Sequence, residues 1–151
     1  MNKVRFAVFL LVVTSAFSGA ACSDSPASPT SPSSASTSSA LTAELAGAWT
    51  LTSMQPTGSA VQARPAMASY LATFENGRIS ARADCNICSG PSTVSAGAVS
   101  IGPVLACTRA ACATMEFESV YVSLLSGDHA VSTDGRSLTL QSGRGVLRFE
   151  R

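Results

Sequence analysis

The chain of 151 residues carries ten basic and nine acidic residues, which gives a formal net charge of only +1. Its arginines are scattered singly along the sequence, so no basic patch of the kind that binds nucleic acid can be drawn from them. Once the N-terminal leader is removed, eight arginines and nine acidic residues remain, and the length suffices for one globular domain.

The first 21 residues have the organisation of a secretory signal peptide. Lys3 and Arg5 form a short basic region, and residues 6–13 follow as an unbroken apolar run. That run is too short to cross the hydrocarbon core of a bilayer as a helix. We therefore interpret residues 1–21 as a signal peptide that is absent from the mature protein.

The end of this leader, SGAAC at residues 18–22, resembles the lipobox of bacterial lipoproteins. The resemblance implies cleavage before Cys22 and lipidation of Cys22 with acyl chains such as palmitate, which together anchor a protein durably. Because Ser23 follows the cysteine, the resemblance also implies the outer membrane, with the protein facing the periplasm. The alternative is ordinary cleavage, which leaves Cys22 as a free thiol in a secreted or soluble periplasmic protein.

Residues 22–40 are predicted to be the lipidated cysteine followed by a disordered tether. After the cysteine this segment consists almost entirely of Ser, Pro, Thr and Ala. It cannot bury enough apolar surface to compensate for chain ordering. A flexible chain of this length spans about 20–25 Å on average, which suits a globular head held close to a membrane. Residues 41–151 form that head.

The head domain opens with segments in which apolar and polar residues alternate, a pattern typical of half-buried strands. Asn76-Gly77 lies between two such segments and predicts a type I′ hairpin, because both residues tolerate positive φ. The strands predicted in this half are residues 47–54, residues 69–75, residues 78–84 and the two arms of a hairpin around Ala96-Gly97, within residues 92–102.

Three more strands close the chain, with tight turns at Asp134-Gly135 and at residues 143–145. Their inward-facing residues are predicted to be Leu138, Leu140, Leu147 and Phe149.

One segment breaks the alternation and predicts a helix. Phe117, Tyr121 and Leu124 recur at the spacing of a helix face, while Thr114 is placed to cap the helix and Gly127 to end it. We expect an α+β fold, with a curled, barrel-like antiparallel sheet of about seven or eight strands and one helix packed on or into it.

Four short motifs occur in chain order: Gly47 to Trp49, Cys85-Asn86 to Gly90, Thr108 to Cys112, and Leu147 to Phe149. Together they resemble the META domain, also called the HslJ-like family. The resemblance covers nearly all of residues 41–151, with Asp84 in place of the usual glycine before the first cysteine. It implies a small envelope domain, often borne on a lipoprotein and linked with stress or antibiotic tolerance, without an established enzymatic activity.

The cysteines of the head form two pairs along the chain, Cys85 with Cys88 and Cys107 with Cys112. A four-cysteine zinc site is one interpretation, but the longer second spacing does not match the usual knuckle. A redox Cys-x-x-Cys motif is another, but Cys85 is expected to end a strand and enter a turn rather than begin a helix. Structural disulfides suit an exported protein better than either.

The hairpin around Ala96-Gly97 favours nested disulfides, Cys88–Cys107 and Cys85–Cys112. In such a hairpin, residues equally distant from the turn face each other, and both nested pairs lie close to this register. The crossed pairs cannot both satisfy one register, and the local pairs ignore the hairpin. Cys85–Cys112 also corresponds to the cysteine pair of the resembled family.

Few residues of the head are candidates for catalysis. Asp128 and His129 are adjacent, but neighbours along a strand point to opposite faces, so we interpret His129 as part of an exposed turn. Glu116 and Glu118 are interpreted as surface acids near the start of the helix. Asp84 is interpreted as a residue that forms a hydrogen bond within a turn. We expect no enzyme, no cofactor and no metal site.

The helix stripe and the strand residues opposite it suggest either a filled core or an apolar pocket for a ligand. The candidate pocket residues are Trp49, Leu51, Phe74, Phe117, Tyr121 and Leu124. The favoured function is a non-catalytic lipoprotein head that binds an envelope partner or an apolar ligand. The alternatives are a thiol–disulfide or zinc-dependent enzyme, and an inhibitor of an extracellular hydrolase in which a disulfide-braced loop enters the target's cleft.

Overall fold

The structure, a computed structural model, describes residues 34–151, with side chains from residue 37 onwards. In this part of the chain there are two helices, α1 (Ser34–Leu45) and α2 (Met115–Leu125). The strands, in chain order, are β1 (Gly47–Pro56), β2 (Gln62–Ala63), β3 (Tyr70–Glu75), β4 (Arg78–Ala83), β5 (Asn86–Ser95), β6 (Ala98–Ile101), β7 (Ala106–Cys107), β8 (Gly127–Thr133), β9 (Ser137–Ser142) and β10 (Gly145–Glu150).

Eight of these strands close into an antiparallel barrel. The order around it is β1-β3-β4-β5-β6-β8-β9-β10, and β10 pairs with β1 to complete the ring. Two short strands are added outside this path, β2 beside β1 and β7 beside β5. Closure pairs the edges that an open sheet would expose. The predicted α+β fold with a barrel-like sheet is confirmed.

The strand register defines two ends of the barrel. One end, which we call the hairpin end, carries the turns at Asn76-Gly77, Ala96-Gly97 and Asp134-Gly135. Asn76 and Gly77 have φ values of 50° and 70°, as the predicted type I′ turn requires. The other end, which we call the α2 end, carries the turn between β4 and β5 and the connection that contains α2.

Helix α1 was not predicted. Residues 34–40 belong to the segment expected to be a disordered tether, and that expectation is wrong for them. The helix is held by Leu41 and Leu45, which are buried in the core, and by the Trp49 indole, which donates to the Leu45 carbonyl at 2.9 Å. Tertiary docking therefore supports a helix that its Ser-rich composition does not indicate.

Helix α2 matches the prediction in place and length, and packs against β1, β4 and β10. The buried Tyr121 hydroxyl donates to the Leu71 carbonyl at 3.0 Å. The Tyr70 ring meets Phe117 and Tyr121 edge-to-face, with centroids 4.8 and 5.2 Å apart. Thr114 precedes the helix as expected, but its side chain makes no capping hydrogen bond.

The barrel interior is a continuous hydrophobic core. The inward-facing residues predicted for the last strands, Leu138, Leu140, Leu147 and Phe149, are all at most 1% exposed. Trp49, Leu51, Tyr70 and Tyr121 have no exposed surface at all.

Candidate functional site

The two nested disulfides are present, and both lie at the α2 end of the barrel. Cys88 faces Cys107 across β5 and β7, with their Cα atoms 4.0 Å apart. Cys85 is bonded to Cys112, with Cα atoms 5.7 Å apart. The hairpin register that favoured this pairing continues from β6 into β7, displaced only by the intervening loop.

The disulfides enclose a short exposed segment, residues 107–112, which we call the braced loop. Its first residue is tied to Cys88 in β5, and its last is tied to Cys85 in the preceding turn. Thr108, Arg109, Ala110 and Ala111, which lie between the two cysteines, are all exposed. The loop is therefore anchored on both sides of its exposed part, to β5 and to the turn that precedes β5.

Asn86 holds the middle of the braced loop. It is only 2% exposed, and its Oδ1 atom accepts hydrogen bonds from the Ala110 N–H at 2.8 Å and from the Thr108 hydroxyl at 2.9 Å. Its Nδ2 atom donates to the Ala110 carbonyl at 3.0 Å and faces the Glu118 carboxylate at 3.0 and 3.1 Å. This one amide therefore satisfies both backbone polar groups of Ala110.

The backbone of the braced loop alternates in direction, as an edge strand does. The Thr108 N–H donates to the Ile87 carbonyl at 3.0 Å, and Ala110 is bound by Asn86, so both residues face the barrel. Within the described part of the chain, no residue forms a hydrogen bond with the backbone of Arg109 or Ala111. Residues 108–112 contain neither a turn nor a bend. The loop thus presents an extended outer edge to solvent.

Asp84 occupies the turn between β4 and β5, with φ of 56°. This left-handed conformation suits the glycine of the resembled family, and Asp tolerates it better than most residues. The Asp84 Oδ2 atom accepts from the Thr114 hydroxyl at 2.7 Å. Since that hydroxyl has given its hydrogen to the carboxylate, the Tyr70 hydroxyl donates to Thr114 Oγ1 at 2.7 Å. Burial raises the pKa of Tyr70, so it remains a donor at neutral pH.

A shallow groove of about 400 Å³ runs between the braced loop and α2. Its walls include Arg109, Met115, Glu118 and Val122. Met115 is 57% exposed, and Ile87 beside the loop is 47% exposed. Glu118 was interpreted as a plain surface acid, but it is half-buried and bound to Asn86.

The six candidate pocket residues belong to the hydrophobic core or pack against it. Five of them are at most 4% exposed, and Phe117 is partly buried against the same cluster. These side chains therefore form part of the packed core, as the filled-core alternative expects.

His129 is buried, and its interpretation as part of an exposed turn is wrong. It lies in β8 with 2% exposure, and its Nε2 atom is 3.0 Å from the Leu125 carbonyl oxygen. Burial lowers the pKa of His129, and the Leu125 hydrogen bond opposes the shift while nearby Arg144 reinforces it. Asp128 points outward and accepts from the Ser100 hydroxyl at 2.6 Å, so the two neighbours do face opposite sides.

Cys85 was predicted to end a strand, but it lies in the turn itself. Only Asp84 and Cys85 separate β4 from β5, and residues 86–90 continue as strand. The central role of Asn86 was missed, although the Cys-Asn pair in the second motif marked its position. Cys22 and residues 1–21 lie outside the described residues. Among residues 34–151 no helix is both long and apolar enough to span a membrane.

Comparisons with known proteins agree with this architecture. The family model described as META domain matches residues 40–151. An NMR structure of a protein from Burkholderia xenovorans is similar in fold, with a TM-score of 0.60 and 24% identity over 85% of this chain and 94% of that chain. No curated protein matches the chain. The matched region includes the whole barrel and α2, and the chain therefore belongs to the META domain family.

Proposed function

We propose that this protein is a lipid-anchored, non-catalytic binding protein of the bacterial cell envelope. It engages a protein partner through the braced loop and the adjoining face of α2. The observation that carries the proposal is that two disulfides and the buried Asn86 amide hold an exposed segment in place.

The envelope location is supported by the leader and by the state of the cysteines. Residues 1–22 combine a signal peptide pattern with a lipobox-like end. All four cysteines of the head are paired as disulfides, which form and persist in exported proteins. Helix α1 precedes Gly47, where the chain enters the barrel, and it lies beside the Asn76-Gly77 turn of the hairpin end. A tether joined to α1 therefore leaves the α2 end accessible to a partner.

A non-catalytic role is supported by the groups that an enzyme would use. Cys85 and Cys88 are not bonded to each other, and sulfurs in disulfides are not thiolates that could attack a substrate or ligate zinc. His129 is buried with one ring nitrogen bound to a backbone carbonyl. Binding is favoured because a preformed surface loses little conformational freedom on association, and exposed Met and Arg side chains are enriched in interfaces.

Two experiments test the proposal. Cys22→Ala should move the protein from the membrane fraction to the soluble periplasmic fraction, and unchanged membrane association would contradict the anchoring. For binding, a photo-reactive residue at Met115, beside the braced loop, should form a defined cross-linked complex in intact cells. The same residue at exposed Asp134, at the hairpin end, is the matched control and should not form that complex. Equal products from both positions would contradict binding through the braced loop.

A further inference from the structure

We infer that the braced loop is a substrate-like inhibitor of serine endopeptidases of the trypsin class, with Arg109 as the side chain that enters the specificity pocket. The inference rests on the proposed function and names the chemical class of its partner. Four features of the loop carry it: its extended backbone, its unpaired arginine, its two flanking cross-links and its rigidity.

The backbone has the form that a protease cleft accepts. Extended peptides bind by pairing the main-chain groups of alternate residues with an edge of the host protein. In the braced loop, Thr108 and Ala110 turn their backbone groups toward the barrel, and Arg109 and Ala111 keep theirs free on the outer edge. The backbone groups of Arg109 and Ala111, which form no hydrogen bonds with the barrel, are thus free to pair with a protease cleft.

Arg109 supplies the charge that selects a trypsin-type pocket. Such a pocket carries a buried carboxylate, which a guanidinium binds through paired hydrogen bonds. Arg109 is exposed, and its guanidinium has no hydrogen bond or ion pair with any residue of the described part of the chain. The next two residues are Ala110 and Ala111, whose small side chains leave room for a cleft wall.

The disulfides lie on either side of the Arg109–Ala110 peptide bond. Hydrolysis of this bond adds one water and yields the Arg109 carboxylate and the Ala110 ammonium group. The first product end remains attached through Cys107 to Cys88, and the second through Cys112 to Cys85. Asn86 also holds the Ala110 nitrogen at 2.8 Å from its Oδ1 atom. Neither end can leave, so the reverse reaction stays intramolecular and is strongly favoured over product release.

Rigidity converts this arrangement from a substrate into an inhibitor. A linear peptide loses conformational freedom when it enters a cleft, whereas a loop already held in the bound form avoids most of that cost. Protease–inhibitor complexes reach very tight binding over interfaces of ordinary size for this reason among others. The braced loop is already held in an extended form by its two disulfides and by Asn86.

The test uses the mature protein, purified with both disulfides intact, and trypsin with a chromogenic arginine substrate as the probe. We expect an inhibition constant below about 1 μM. Arg109→Ala should raise it at least about 100-fold, as expected for a central anchor residue, while Arg109→Lys should retain inhibition. Arg109→Leu should lose trypsin inhibition and gain inhibition of chymotrypsin, whose pocket is apolar. Arg136→Ala, at an exposed arginine of the hairpin end, is the matched control and should change nothing.

The inference is overturned if the mature protein does not inhibit trypsin, or if Arg109→Ala inhibits as well as the parent. It is equally overturned if trypsin cuts Arg109–Ala110 as rapidly as it cuts a linear peptide of the same sequence. If inhibition is absent while the Met115 cross-link is formed in cells, this inference fails and the proposed binding function stands. If the cross-link is also absent, both fail.

Discussion

The side chain of Asn86 binds both backbone groups of Ala110, accepting from its N–H at 2.8 Å and donating to its carbonyl at 3.0 Å. The same amide contacts Thr108 and Glu118. We predict that Asn86→Ala lowers the free energy of unfolding by about 2–4 kcal/mol, because the substitution removes several hydrogen bonds of a buried amide, one of them charge-assisted. Urea denaturation of both proteins measures the difference.

Thr93→Ala serves as the control for that substitution. Thr93 is an exposed residue of the same strand, β5, and its replacement should change stability by less than about 0.5 kcal/mol. Equal effects of the two substitutions would show that Asn86 is not a structural centre of the loop.

His129 makes stability depend on pH in a defined direction. Its Nε2 atom must carry the hydrogen that Leu125 accepts, and its Nδ1 atom has no partner among the described residues. Burial lowers the pKa of His129 below its usual 6.5, so the unfolded chain binds the proton first as pH falls. Stability should therefore be unaffected by His129 above about pH 7 and decline as pH falls from 6.5 toward the folded-state pKa, with a slope of at most about 1.4 kcal/mol per pH unit.

The measurement is denaturation at several pH values between 5 and 8, roughly the range in which histidine titrates. His129 is the only histidine of the chain, so the slope in this window can be assigned to it. His129→Gln, whose side chain does not titrate, should remove the slope whatever its effect on absolute stability. A slope that persists in His129→Gln would refute the assignment.

The two disulfides should differ in their resistance to reduction. Cys85 is exposed, whereas Cys88 has no exposed surface. Thiol–disulfide exchange requires access of the attacking thiolate to sulfur. Under mild reduction we expect Cys85–Cys112 to open before Cys88–Cys107, as detected by alkylation and peptide mass mapping. Opening in the reverse order would contradict the burial of Cys88.

Gly145 should be intolerant of any side chain. It has φ of 151°, and a Cβ atom there would lie 2.3 Å from the Gln55 carbonyl oxygen. We predict that Gly145→Ala lowers the free energy of unfolding by about 2–4 kcal/mol, since it combines backbone strain with a clash at the β1–β10 seam. Gly143→Ala is the matched control, because a Cβ atom there meets nothing within 4 Å. Similar melting temperatures for the two variants would contradict closure of the barrel at this seam.

Local signals explain which parts of the fold could be predicted from sequence. Asn76-Gly77 determines its hairpin because both residues accept positive φ. The register of the hairpin around Ala96-Gly97 predicted which cysteines pair as disulfides. These features depend on a few neighbouring residues. The META motifs indicated the family, which the match over residues 40–151 confirms, and a barrel-like sheet is present as predicted.

The features that were missed depend on contacts distant in sequence. Helix α1 lies in a Ser-rich segment and is held only where Leu41 and Leu45 meet the core. His129 was placed in an exposed turn because it follows a helix, but it belongs to β8, which pairs with β6 and β9, and its side chain is buried. Asn86 acts on residues more than twenty positions away, which no periodicity reveals.

The central claim is that the braced loop is already formed in the free protein, with alternate residues facing the barrel. Amide hydrogen exchange, measured by NMR on the mature protein, tests this directly. The amides of Thr108 and Ala110 are hydrogen-bonded to Ile87 and Asn86, so we predict slow exchange for both and fast exchange for Arg109 and Ala111. Equally fast exchange at all four amides would contradict a preformed loop.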